Sequence, residues 1–406
     1  MAIYFLQVLL IITAGSLQKV DGKYYFKLDK SINSQQEKKI FMLFSFGILI
    51  LVAGLRSYAV GTDLYMHYAK RFIQISEIDW SQLPEFSLTS TYEIGYCIFT
   101  KLISQISANL NFFIFSTSLF IYGAVGWFIY KNSSDVKMST LLFVLSGMYY
   151  NSLSMIRQSI AISIILIGYE FLKKDNYGKI KKYLIYSAFV LIAASVHASS
   201  IICILLILFD CLEFKQGHIV ISIIVTGVFF FLYNQIFTIL VDLFGLSDRY
   251  DEYSSNARES IGHINVQSFS SVLIIFLGFA FACYYLVMNK SEHNLIDTTD
   301  NENKTSLLMF LGMLAFICRF MIFKANIINR FSWFFIPFIF ILYPLAVKNI
   351  DNYKTRKSIK FIIYCLFAMY FVMMTFRYER TFHHTIPYEF YWEIEIDYSK
   401  IGSIFK

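Results

Sequence analysis

Apolar residues along this chain gather into long runs separated by short polar breaks. The runs are about 16–25 residues, the length a helix needs to cross roughly 30 Å of hydrocarbon. In chain order they predict about twelve helices, near residues 2–17, 39–55, 109–130, 138–154, 157–172, 183–196, 198–213, 218–245, 268–289, 305–323, 328–347 and 358–376. The runs are continuous rather than alternating in segments of about ten residues, which argues against a membrane β-barrel. Two boundaries, the break near Arg157 and the split at His197, can also be read as kinks within longer helices.

Composition turns these helices into membrane spans. Hydrophobic residues make up 57% of 406 and charged residues only 16%, against roughly 45–50% and about 25% in a soluble domain. The fold class expected is an all-α polytopic membrane protein, one integral membrane domain over residues 1–406. The net charge of +7 is not a nucleic-acid footprint, because its lysines sit in a few short loops. The segments 18–38 and 173–182 carry five lysines each, and 348–357 carries three with one arginine. With all three on the cytoplasmic side, strict alternation through the runs meets no conflict. The loop at about 56–108, the loop at 246–267 and the tail 377–406 then face outward, and any chemistry falls to loops and helix ends. The first run has no basic residue before its apolar core, so it is expected to stay as a helix rather than be cleaved as a signal peptide.

The six cysteines are scattered, with no C-x-x-C and no His/Cys cluster, so neither a disulfide framework nor a zinc site is expected. No Walker loop, GxSxG or HExxH occurs either, which disfavours nucleotide-driven and zinc chemistry.

The same alternation sorts the unusual polar residues. Arg56, Asp63, Glu93, Arg157, His197, Arg249, Arg258, Arg319 and Arg330 all map to the outer face or the outer ends of helices. Ionisable residues at membrane depth are costly and face a bundle interior or a watery cavity. Arg157 interrupts "NSLSMIRQS", and its guanidinium is suited to gripping a phosphate bidentately; snorkelling at a helix end is the other reading. His197 is either a proton relay or a histidine satisfied by a neighbouring helix. Arg319 and Arg330 flank a tight turn with Lys324, either as an anion site or as interfacial anchors. Glu93 opens an amphipathic stretch, as a helix-capping carboxylate or as a base. Gly61 in "RSYAVGTD" lets the chain turn so that Asp63 faces back toward the bundle. In "DRYDEYSSNARES", Arg249, Tyr250 and Tyr253 offer the aromatic and hydrogen-bonding mix that suits sugars; a solvated loop is the bland alternative.

In chain order, "RSYAVGTD" (56–63), "YEIGYCIFTKLI" (92–103), "IRQSIAISIILIGYEFL" (156–172), "HASSIICILLIL" (197–208), "DRYDEY" (248–253) and "NRFSWFFIP" (329–337) resemble the EpsG family of polysaccharide-biosynthesis proteins, a branch of the Wzy-like O-antigen and capsule polymerases. The resemblance covers roughly residues 38–345 and leaves out the tail from Arg377. It implies a multi-pass glycosyltransferase of the bacterial inner membrane, related in plan to the GT-C enzymes, with its cavity on the outer face. Such an enzyme moves a growing glycan from undecaprenyl diphosphate onto a new lipid-linked repeat unit, in lipopolysaccharide, capsule or exopolysaccharide synthesis. The partners implied are undecaprenyl-diphosphate-linked oligosaccharides, membrane lipid and a polysaccharide chain-length regulator; no metal and no cofactor are called for.

On that basis Arg157, Arg319 and Arg330 are expected to bind diphosphate, with Arg56 a fourth. Asp63 or Glu93 is the expected base or acceptor-positioning group, and His197 assists. Three rival functions stay open at this point, one of them a non-catalytic membrane scaffold whose outer arginines would tolerate alanine. A lipid-linked-oligosaccharide flippase also needs about twelve spans, with charges nearer the midplane and repeat symmetry. An O-antigen ligase shares the chemistry, with a larger outer loop late in the chain.

Overall fold

Polar caps bracket the apolar runs and set where helices begin. Ser34 accepts a hydrogen bond from Glu37 N–H at 3.1 Å, Asn109 from Asn111 N–H at 2.8 Å, Asp135 from Met138 N–H at 3.0 Å and Asn265 from Ser268 N–H at 2.8 Å. Each side chain satisfies one of the amide donors that the first turn of a helix leaves open. A computed structural model describes residues 1–20, 23–27, 32, 34–90, 92–174, 177–233, 235, 265–288, 299–324, 326–377 and 384–394.

The first half of the chain forms α1 (Ala2–Ala14), a hairpin of β1 (Leu17–Val20) and β2 (Lys23–Phe26), α2 (Gln35–Gly54), α3 (Ala69–Glu77), α4 (Leu83–Ser90), α5 (Ile94–Ile106), α6 (Leu110–Asn132), α7 (Val136–Leu145), α8 (Met148–Ser154), α9 (Ile156–Leu172) and α10 (Lys179–Val196). There follow α11 (Leu205–Asp210), α12 (Gln216–Phe231), α13 (Val266–Cys283), α14 (Thr299–Phe320), α15 (Asn326–Lys348) and α16 (Tyr353–Arg377). Helix therefore occupies each of the expected apolar runs, within the described residues. Among the described residues, five of these stretches rather than twelve are long and apolar enough to cross a membrane: Leu110–Asn132, Val266–Met288, Lys304–Phe323, Ile328–Lys348 and Tyr353–Phe376.

Three local differences have physical reasons. The 138–154 run divides at Gly147, whose φ of 80° closes α7 and opens α8, a conformation glycine adopts without strain. The lysine-rich 18–38 loop contains an antiparallel hairpin pairing Leu17 with Phe26 and Val20 with Lys23. The Asp21-Gly22 pair in the sequence is a strong short-range hairpin signal. The breaks at Met155 and His197 are true helix ends: α8 stops at Ser154, and His197 is extended before a 3-10 turn over Ala198–Ile204.

The helices gather into two compact units, residues 1–204 with 367–406, and residues 205–366. A nest of tyrosines fills the core of the first. Tyr4, Tyr122, Tyr149 and Tyr150 are all buried, and Tyr149 donates to the Leu49 carbonyl at 2.9 Å while Tyr122 shares a hydrogen bond with Ser152 at 2.7 Å. Buried phenols need such partners, and these tie α2, α6 and α8 together. The end of the chain closes over the same region. Ser57 N–H donates to the Glu389 carbonyl at 2.8 Å, Tyr391 N–H to Leu55 at 3.0 Å, and Tyr4 O–H to Thr385 at 2.6 Å. The second unit packs α13, α14 and α15. Cβ atoms at Gly278 and Gly312 would meet Tyr343 and Leu342 at 2.6 Å each, so those glycines allow close helix approach.

Candidate functional site

Three helix ends meet in the first unit. Glu93 immediately precedes α5, Arg157 lies in the first turn of α9, and His197 closes α10. Gly95 makes the meeting possible. A Cβ there would stand 2.1 Å from Ser195 Oγ and 2.6 Å from the Ser195 carbonyl oxygen, so only glycine lets α5 come this close to α10.

Glu93 is the hub. Its Oε2 lies 2.5 Å from the Arg157 guanidinium, and its Oε1 accepts from Ala198 N–H at 3.1 Å. His197 Nδ1 is 4.0 Å from Oε1, beyond hydrogen-bond length. The carboxylate makes no capping bond to its own helix. Of the two roles read from the sequence, side-chain capping is therefore not the one it adopts. The pair is neither buried nor fully wet, with 22% of the Arg157 side chain and 25% of that of Glu93 exposed. A ligand can therefore reach charges that remain partly desolvated.

Aromatic rings floor the pair. Tyr92 lies 4.4 Å below the Arg157 guanidinium carbon, within cation–π range, and Tyr68, Tyr92 and Tyr96 cluster with centroids 5.6–6.3 Å apart. Burial pushes the Tyr68 hydroxyl up to about 12 from its ordinary 10.0, although Arg157 beside it pulls the other way. Burial likewise raises Tyr92, against the pull of Arg157 and Arg71. Both phenols are thus neutral near pH 7.

The 56–63 stretch packs against the break between α8 and α9. Gly61 takes a φ of +106°, and a Cβ there would stand 3.0 Å from the Leu153 carbonyl oxygen. Asp63 N–H donates to Ser154 Oγ at 3.0 Å, and the Asp63 charge is felt by Tyr68 and Tyr92. Asp63, Glu93, Arg157 and His197 thus belong to one end of this unit, as the alternation argument groups them.

Arg56 is different. It is buried at 3% exposure and donates to the Ala53 carbonyl, to Ser118 Oγ at 3.2 Å and to the Leu153 carbonyl at 3.1 Å. Leu153 O is one of the carbonyls that the break before α9 releases, and a buried guanidinium satisfies it. Its expected role as a fourth phosphate ligand gives way to this internal one.

Arg319 and Arg330 lie in the second unit. Arg319 is buried, donating to Ser271 at 3.2 Å and Asn329 at 2.9 Å over the face of Trp333. These bonds join α13, α14 and α15 and occupy a guanidinium that the sequence offers to a phosphate. Arg330 is exposed near the start of α15. Arg249, Tyr250, Tyr253 and Arg258 lie outside the described residues. Among the described residues, no three of His, Cys, Asp and Glu gather as a metal-ligand set.

Arg71 and Lys101 escape the sequence reading. Lys101, buried on α5, donates to the carbonyls of Ile75, Ser76 and Ile78 at 3.2, 3.2 and 2.5 Å, capping α3 and locking it to α5. The apolar spacing Ala69, Phe72, Ile75 marks α3 as an amphipathic helix, and its polar edge brings Arg71 to Tyr92.

A predominantly helical chain with, among its described residues, five helices of membrane-crossing length and apolarity is a polytopic membrane protein. Within that class the EpsG family profile matches residues 39–390, and the chain belongs to the EpsG family. The match runs past residue 345 into the tail that the resemblance left out, where residues 384–390 pack against the 55–61 stretch. No curated protein and no solved structure matches the chain.

Proposed function

We propose that this chain is a repeat-unit polymerase of the bacterial inner membrane, a GT-C-like glycosyltransferase. It moves a growing glycan from undecaprenyl diphosphate onto a new lipid-linked repeat unit at the outer face. Membership of a polysaccharide-related membrane family supports the substrate class. The observation that carries the chemistry is the Arg157–Glu93 pair above Tyr92, with Asp63 and His197 grouped at the same end.

In this reading Arg157 holds the diphosphate and stabilises charge as the bond between anomeric carbon and phosphate oxygen breaks. Glu93 or Asp63 takes the proton of the acceptor hydroxyl as its oxygen bonds to that carbon. Undecaprenyl diphosphate leaves. His197 assists beside Glu93, and the tyrosines offer ring faces and hydroxyls to sugars. Arg330, exposed near the start of α15, is kept as a proposed phosphate ligand of its own unit, whereas Arg56 and Arg319 hold helices.

The test is glycan polymerisation in a deletion strain complemented with Arg157→Ala, Glu93→Gln, Asp63→Ala or His197→Ala. Loss of long products at normal protein level, with single repeat units displayed outside, is expected. Normal ladders from all four overturn the site. Repeat units retained inside point instead to the flippase reading, and intact polymer that is never attached points to a ligase.

A further inference from the structure

Arg157, the cation expected to grip the substrate, is already neutralised by Glu93 at 2.5 Å. A second guanidinium stands nearby without such a partner. Arg71, half-buried on α3, donates to the neutral Gln74 Oε1 at 2.9 Å and rests against two rings, Tyr92 at 5.1 Å and Phe86 at 5.8 Å. Among the described residues no carboxylate pairs with it. Among the described residues its charge is thus in no ion pair, and the rings limit its hydration without screening it.

Arg71 and Arg157 approach the same Tyr92 ring, at 5.1 and 4.4 Å from its centroid. Their guanidinium carbons are therefore no further apart than the sum of those two distances, a span that one two-phosphate ligand can bridge. Their supports are rigid: Lys101 locks α3 to α5, and Glu93 joins the start of α5 to Arg157 on α9. Arg71 is held in place, so little side-chain freedom is lost when it takes up an anion.

We propose that Arg71 is a second anion-binding residue of this site, gripping the diphosphate of a lipid-linked substrate jointly with Arg157 across Tyr92. The inference deepens the polymerase reading and rests on it for the identity of the substrate. As the anion enters, Arg157 exchanges part of its bond to Glu93 for phosphate oxygens, which leaves that carboxylate free to meet an acceptor hydroxyl. Arg71 supplies the positive charge that the Arg157–Glu93 pair by itself lacks.

The experiment uses the full chain in nanodiscs of neutral lipid, with inorganic pyrophosphate as the probe and orthophosphate for comparison. Calorimetric titration is run on wild type, Arg71→Gln, Arg71→Lys and, as a control at the lysine-rich loop, Lys174→Ala. A lost charge-assisted hydrogen bond predicts pyrophosphate binding weakened about tenfold to a hundredfold in Arg71→Gln. Arg71→Lys, which keeps the charge without the fork, is expected to fall between, and Lys174→Ala to bind as wild type. All variants should melt at the wild-type temperature, and Arg71→Lys decides the matter where Arg71→Gln does not. Wild-type affinity in both Arg71 variants overturns the proposal, as does a wild-type protein that binds pyrophosphate no better than orthophosphate. Glycan ladders from the complemented strain separate the two levels. Arg71-dependent pyrophosphate binding with normal ladders in the strain lacking the gene leaves the anion site standing and removes the polymerase reading. Gene-dependent ladders that are normal in Arg71→Gln remove Arg71 from the site and keep the polymerase.

Discussion

Arg157 and Arg319 begin as equals: each is an arginine at the end of an apolar run, and each stands over an aromatic ring in the folded chain. Their partners separate them. Arg319 is 8% exposed and directs its donors to Ser271 and Asn329, neutral groups on the helices it joins. Arg157 meets a carboxylate brought from another helix, in a place where 22% of its side chain still faces solvent. A guanidinium satisfied by neutral neighbours is a brace. One paired with a movable, part-exposed charge is a poised binding group, because an incoming anion can compete for it. Position along the chain does not distinguish the two, but the chemistry of the partner does.

The comparison breaks most visibly through activity. Arg157→Lys keeps the charge and loses the planar fork, so a fall of about 100-fold in polymer formation is expected at normal protein level, read from glycan ladders. Wild-type ladders from this variant would show that bidentate grip is not what Arg157 provides. Arg319→Met should behave in the opposite way. It leaves Asn329 and Ser271 without that donor and costs about 1–3 kcal/mol of stability, read as lower melting temperature and yield. Product per folded molecule should stay near wild type. Loss of polymer from stable, normally expressed Arg319→Met would erase the distinction between the two arginines.

Much of the architecture was legible because long apolar runs have few alternatives to helix. The lysine counts group Asp63, Glu93, Arg157 and His197, and the contacts of Glu93 and Asp63 place the four in one region of the first unit. Pairing was not legible. Nothing near Glu93 in the chain announces a partner 64 residues away, because that contact forms only when the start of α5 and the start of α9 are brought together by the fold. Burial was equally hidden: the flanking residues of Arg56 look like an open loop mouth, yet α6, the break after α8 and the returning residues 384–391 close it. The hairpin at 17–26 did carry its signal, Asp21-Gly22, but lysine density made the segment read as a plain loop. Arg71 lay on the polar edge of a short helix, where a charge is ordinary until Tyr92 is found beside it.

Gly95→Ala probes the same contrast with a smaller effect. The added methyl meets Ser195 Oγ at 2.1 Å and its carbonyl oxygen at 2.6 Å. Overpacking of this kind costs about 1–3 kcal/mol, and the strain falls on the contact that carries Glu93 to Ala198. Polymer formation should drop more than stability does. Ser195→Gly in the same chain should not restore it, since the carbonyl remains in the way. Full rescue by Ser195→Gly would mean that only the side chain sets the spacing.

Tyr68→Phe is expected to have the smallest effect, and pH gives it a signature. The hydroxyl lies within the electrostatic reach of Arg157, so its loss costs about 1 kcal/mol at neutral pH. Burial raises the Tyr68 pKa from 10.0 to about 12, so the folded state holds this proton more tightly than the unfolded chain. The stabilisation is complete below pH 10 and fades as pH rises through 12. Wild type should therefore lose stability across that window more steeply than Tyr68→Phe, in thermal unfolding of the purified protein. Arg319→Met leaves Tyr68 untouched and should keep the wild-type slope. Parallel alkaline profiles for wild type and Tyr68→Phe would place the phenol in solvent, and would remove the desolvated phenol that sets the surroundings of Arg157 apart from those of Arg319.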